Sequence, residues 1–114
     1  MDIGGPLVRQ ISGGALATIL LLAGSATGVA HAASARRGLA FARTHCAQCH
    51  SIDKLSPSLL KDAPPFRMLG KRYPLENLEE ALAEGIVTSH PSMPEFRLEP
   101  DQIGDLMAFL KSLQ

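Results

Sequence analysis

Near the end of the chain, apolar side chains recur at Ile103, Leu106, Met107, Leu110 and Leu113, the repeat that puts them on one face of a helix. The spacing predicts a helix from Pro100 to about Leu113. A second stretch, Pro74 to Glu84, places Leu75, Leu78 and Leu82 on one face, with Pro74 near its start and Gly85 as a C-terminal stop. A third, Ser34 to His45, is rich in alanine, offers Ser34 as an N-cap and has Leu39, Phe41 and Ala42 as inward positions. Between them the periodicity fails. Pro57, Pro64, Pro65 and Gly70 punctuate Ser51 to Tyr73, predicting a long wrapping loop with about one turn of helix. Ile86 to Pro100, which contains "SHPSMPEF", reads as another loop. No strand-like alternation and no repeat is present, so the expected class is all-α: three main helices with loops long for their size. Loops of that length need a body to wrap.

The opening residues follow a different pattern. Ile11 to Ala30 carries no charge, Arg9 is the only basic side chain ahead of it, and small residues stand at Ala30 and Ala32. A short charged region, an apolar core around Ala15 to Ala23 and an A-x-A site describe an export signal over residues 1–32, cleaved after Ala32. The competing reading is an uncleaved membrane anchor, but Gly, Ser, Thr and Ala dilute this run below the hydropathy of most spanning helices. Residues 33–114 then form a single domain.

Charge alters the picture only through its distribution. The whole chain has eleven basic and eleven acidic residues, and removing Arg9 and Asp2 with the leader leaves ten of each. No nucleic-acid footprint is visible. Yet Lys54 to Arg72 holds five bases and one acid, whereas Glu76 to Asp105 holds eight acids and one base. Such a dipole can orient an encounter with a partner. The acids of the Pro74 helix include like charges four apart, as expected of a solvated face.

Eighty-odd residues bury a marginal core and usually need a staple. The only material for one is "THCAQCH", residues 44–50, which contains both cysteines of the chain. Zinc would want four protein ligands, and there is neither a second cysteine pair nor a spaced histidine pair. A thioredoxin-like pair belongs at a helix N-terminus in an α/β fold, whereas these cysteines follow a helix. A disulfide across two residues closes too small a loop to stabilise much. Covalent haem attachment uses every feature: two thiols spaced for the two vinyl groups, and His50 directly after Cys49 as the proximal axial ligand.

In "RRGLAFARTHCAQCH", "APPFRMLGKRY", "SMPEF" and "IGDLMAFLKSL", in that order, the chain resembles a class I c-type cytochrome of bacterial type over essentially all of residues 33–114. The resemblance implies the cytochrome c fold, with helices and long loops wrapped around one covalently attached haem. It implies terminal helices crossing at Gly38 against Phe109. Ala42 departs from the pattern, since many members have an aromatic there, four residues before the first cysteine; Phe41 stands beside it.

One axial position remains, with Met68, Met93, Met107, His45 and His90 as candidates. Met107 lies on the apolar stripe of the last helix and reads as core. Met68 sits in the packing segment "PPFRML", and His45 adjoins Cys46, too close to reach the opposite face. Met93 occupies a loop stiffened by Pro91 and Pro94, and in the family a methionine followed by proline at this point is the distal ligand. His90 is the rival; bis-histidine ligation would lower the reduction potential. The family also implies that a proline carbonyl accepts from the proximal histidine, which resembles Pro64, with Pro65 adjacent. Arg67, Arg72 and Tyr73 are candidates for the haem propionates.

Both axial positions filled by protein leave no place for substrate. The expectation is therefore a periplasmic or otherwise exported one-electron carrier rather than an enzyme, using haem c and meeting redox partner proteins, among them membrane-bound respiratory complexes or periplasmic dehydrogenases. Two alternatives are a sensor or gas-binding haem protein with a displaceable distal ligand, and a subunit that feeds electrons to a dehydrogenase or oxidase.

Overall fold

The computed structural model describes residues 4–5 and 31–114; the expected export signal lies almost wholly outside the described residues. Four α-helices carry the architecture: α1 (Ala35–His45), α2 (Leu69–Arg72), α3 (Leu75–Glu84) and α4 (Pro100–Ser112). A 3-10 turn, Phe66–Met68, leads into α2. Among the described residues the only extended pairing is an isolated antiparallel bridge between Ile86 and Phe96. The fold is all-α, as the periodicity predicts.

The helix ends follow from local chemistry. Ser34 is extended, and its hydroxyl accepts from the Arg37 N–H at the start of α1. α3 stops at Gly85, whose φ of 109° lies in the region that favours glycine. At the start of α4, the Glu99 N–H donates to Gln102 Oε1 at 3.1 Å. The expected single turn in Ser51 to Tyr73 is in fact two linked turns, from Phe66 to Arg72. Phe66 anchors them because its ring is buried and its N–H donates to the Ser51 carbonyl at 2.9 Å.

α1 and α4 form the main packed pair. Gly38 is where they cross: a Cβ there would collide with the Asp105 carbonyl and stand 2.8 Å from Phe109 Cβ. Ala42, one turn along α1, is wholly buried. A larger residue would separate the helices, which gives a physical reason for the departure at this position, while Phe41 packs partly buried at the edge. Asp105 Oδ2 and Oδ1 accept from Arg37 Nε and Nη2 at 2.6 and 2.7 Å, and Oδ1 also accepts from the Ser34 N–H at 2.7 Å. A buried acid is thereby paired and fully hydrogen-bonded. Asp105 is therefore internal wiring and drops out of the surface dipole that the sequence suggests.

In the rest of the core, Phe66, Leu82 and Leu98 join Ile103, Leu106, Met107 and Leu110 of α4 in one cluster. Leu98 N–H donates to the Leu82 carbonyl at 2.9 Å and Ile86 N–H to the Phe96 carbonyl at 2.9 Å. The first bond fastens the far end of the loop 86–98 to α3, and the second ties the start of the loop to that same end. Among the described residues no helix is long and apolar enough to cross a membrane.

Candidate functional site

The residues after α1 continue as a tight coil. Cys46 N–H and Ala47 N–H both donate to the Ala42 carbonyl, and Cys49 and His50 N–H both donate to the Cys46 carbonyl, at 3.1 and 2.9 Å. The coil puts the two thiols and the imidazole on the wall of one cavity of about 870 Å³. That volume is within the range of roughly 300–1,000 Å³ typical of cofactor and ligand sites. The other walls are mostly apolar and come from α3, α4 and both loops, including Leu78, Leu82, Leu106 and Leu110.

His50 is held on two sides. Its Nδ1 lies 2.8 Å from the Pro64 carbonyl oxygen, and its ring packs 5.2 Å from the Phe66 ring, centroid to centroid. A carbonyl can only accept, so Nδ1 carries the proton and donates, leaving the Nε2 lone pair free. That is the tautomer of a metal-ligating imidazole, oriented by a backbone acceptor as such ligands generally are. The residue that meets the ring is Pro64 rather than Pro65.

Both cysteines are free thiols. Burial pushes the Cys46 thiol up to about 11, and the nearby Cys49 adds to the shift. Reactive thiol pairs have depressed values that favour the thiolate, so this environment runs against a thiol redox function. Among the described residues, no group of three or more His, Cys, Asp and Glu side chains assembles in the manner of a metal cage. Two thiols beside one oriented imidazole, on a mostly apolar cavity wall, are what a covalently held porphyrin requires.

A family model described as cytochrome c matches residues 35–114. The chain belongs to the cytochrome c family. It is 31% identical over 96 residues to a protein named cytochrome c-552 from Bradyrhizobium diazoefficiens, an alignment that spans 84% of this chain and 90% of the relative. Membership implies a haem attached through the C-x-x-C-H motif and electron transfer rather than catalysis. The residues present fit that group: Cys46 and Cys49 would hold it by thioether bonds, His50 by its free Nε2, and the cavity has the size and apolar lining to receive it.

Of the five residues considered for the sixth position, Met93, His90 and His45 line the cavity, whereas Met68 and Met107 do not. Met107 is buried in the core. His45 is exposed and stacks against Phe41, 4.5 Å between centroids, and edge-on to Phe96. Met93 is half-buried, in a turn closed by its own N–H donating to the His90 carbonyl at 3.1 Å. Arg72 and Tyr73 reach the cavity wall, but Arg67 does not. Its guanidinium Nη1 instead donates to the Ser56 and Asp53 carbonyls at 2.8 and 3.2 Å and to Ser51 Oγ at 3.3 Å. A sequence shows that an arginine is present but not which acceptors the chain folds around it.

Sequence reasoning missed much of the wall. Asn77 and Ala81 on α3, and Phe96 and Leu98 after the methionine loop, all line the cavity. Leu98 stands in no periodic run, and the only signal for its role was an apolar residue between a proline-rich loop and a helix start.

Proposed function

We propose that this chain is an exported one-electron carrier whose haem iron is held between His50 and Met93. When bound, the haem supplies a ferric–ferrous couple that exchanges one electron through its edge. The chain's residues do the rest. Cys46 and Cys49 would hold the group by two thioether bonds, which fix its position and rotation. His50, held by its donation to Pro64, would hold the iron through Nε2. Met93 would supply the second protein ligand from a loop pinned at Ile86–Phe96 and Leu82–Leu98. Histidine with methionine raises the potential relative to two histidines, and both ligands stay bound in either oxidation state, so little rearrangement accompanies transfer. The apolar walls keep water from the iron.

The observation that carries this reading is the His50–Pro64 contact on a cavity wall that Met93 shares and the other two candidate methionines do not. Residues 1–32 serve as the cleaved export signal, in keeping with covalent haem attachment outside the cytoplasm, and the partners are redox proteins of that compartment. A reduced-minus-oxidised visible spectrum and a mass measurement on protein exported from a host able to attach haem test the cofactor, its covalency and cleavage after Ala32 together. A colourless protein with no added mass overturns the proposal. Carbon monoxide added to the ferrous form separates carrier from gas sensor: no reaction at neutral pH is expected, and rapid tight binding assigns the sensor role instead.

A further inference from the structure

His50 and the carbonyl that orients it stand 14 positions apart in the chain. Of the stretch between them only Ser51 and Ala63 are buried, so packing does not hold its course, and ordering it costs conformational entropy. Hydrogen bonds must supply the order. Asp53 Oδ1 accepts from the Leu55 and Ser56 N–H groups at 2.7 and 2.6 Å, and Leu60 N–H donates to the Cys49 carbonyl at 3.0 Å. These bonds shape the loop without tying it to Pro64. Pro64 and Pro65 bring no N–H groups of their own, so the segment that carries the orienting carbonyl has to be held through the residues that follow it.

Those residues converge on Ser51, the neighbour of His50. The Ser51 carbonyl accepts from the Phe66 N–H at 2.9 Å, its N–H donates to Ser58 Oγ at 3.0 Å, and its Oγ accepts from Arg67 Nη1 at 3.3 Å. The same nitrogen donates to the Ser56 and Asp53 carbonyls at 2.8 and 3.2 Å. Arg67 thus reaches back across the two prolines to three points on the first half of the loop. Among the described residues it is the only side chain outside 51–62 that hydrogen-bonds to them, and it makes no ion pair there, so its charge is directed at neutral oxygens. It does not line the cavity.

We propose that Arg67 is a positioning residue for the proximal histidine: by gathering Ser51, Asp53 and Ser56 onto one cation, it fixes the Pro64 carbonyl against His50 Nδ1. The buried Phe66 ring, 5.2 Å from the imidazole, anchors the far end of the loop. Without Arg67 the first half keeps one backbone bond to that anchor, at Ser51, and is free to swing, carrying His50 away from its acceptor. The inference deepens the reading of His50 as the iron ligand, because a firmly accepted Nδ1 proton makes the opposite nitrogen the better electron donor.

The test is NMR of the exported, haem-loaded ferrous protein with 15N-labelled histidine, following the His50 Nδ1 proton, with a thermal melt alongside. In R67Q this proton should move upfield and exchange with water about tenfold faster, the factor that corresponds to one hydrogen bond to a charged group. R67K, whose ammonium offers donors to the same three oxygens, should return the signal toward its wild-type position. A wild-type signal in R67Q, whatever its melting temperature, would reduce Arg67 to a brace of the loop and overturn the proposal. So would an R67K signal that stays with R67Q, since donation to the loop would then not be what matters. Should R67Q fail to accumulate, S51A, which removes the Arg67–Ser51 bond, must move the signal in the same direction, and an unmoved signal overturns the proposal. Ligation is read separately, from the carbon-bound ring protons of His50 in the wild type. If the porphyrin does not displace them, the reading of His50 as ligand fails, while the comparison at Nδ1, on the side of the ring that faces Pro64, still decides the role of Arg67.

Discussion

Asp105 fills, with its backbone carbonyl, the space that a side chain on Gly38 would require. The same residue's carboxylate grips Arg37, the neighbour of Gly38 on α1, in a two-pronged ion pair. One turn of α4 thus sets both how closely the terminal helices approach and how they are rotated against each other.

Replacing Gly38 with Ala gains up to about 1 kcal/mol of helix propensity, but the added methyl must push the Asp105 backbone and Phe109 away, and overpacking of this kind costs about 1–3 kcal/mol or more. The net result is destabilisation, read as a lower denaturant midpoint at unchanged slope. A Gly38→Val variant should fail to accumulate.

Asp105 gives a defined acid limb. The Arg37 hydrogen bond, outweighing the opposing effect of burial, holds its carboxyl below the ordinary range. A depressed carboxylate contributes stability above its unfolded pKa of about 3.9, and loses it as the pH falls through the lower folded value. The Asp105→Asn variant should therefore be less stable at pH 7 and lose less between pH 5 and acid conditions. Thermal melts across that range check both, and parallel curves for the two proteins would remove Asp105 from the account.

Replacing Met93 with Ala should abolish the weak sulfur-to-iron absorption band and open the ferrous form to carbon monoxide, while leaving haem attached. Persistence of the band would mean that another sulfur ligates. Because His90 also lines the cavity, a Met93→Ala/His90→Ala double variant identifies whether an imidazole takes the freed position.

The Cys46→Ala plus Cys49→Ala variant removes covalent attachment. The described domain has a small buried core and long loops arranged around the cavity, so it should be largely unfolded without its staple. Circular dichroism and limited proteolysis measure this, and cooperative melting of the double variant would show that the helices hold on their own.

The three long helices and the coil at the cysteines were legible in the sequence because they depend on neighbours in the chain: apolar spacing over α4, a glycine stop after Glu84, and two thiols and an imidazole within five residues. The glycine crossing was legible only through family resemblance, since nothing in α1 alone says what lies opposite Gly38. The choice of Pro64 over Pro65 as the acceptor facing His50, the presence of Met93 and absence of Met68 on the cavity wall, and the inward fate of Asp105 and Arg67 all depend on contacts between residues at least 11 positions apart. Such contacts are set by how the loops close over the cavity. Local spacing can nominate a residue for a role, but only the packed chain decides which atoms come within reach.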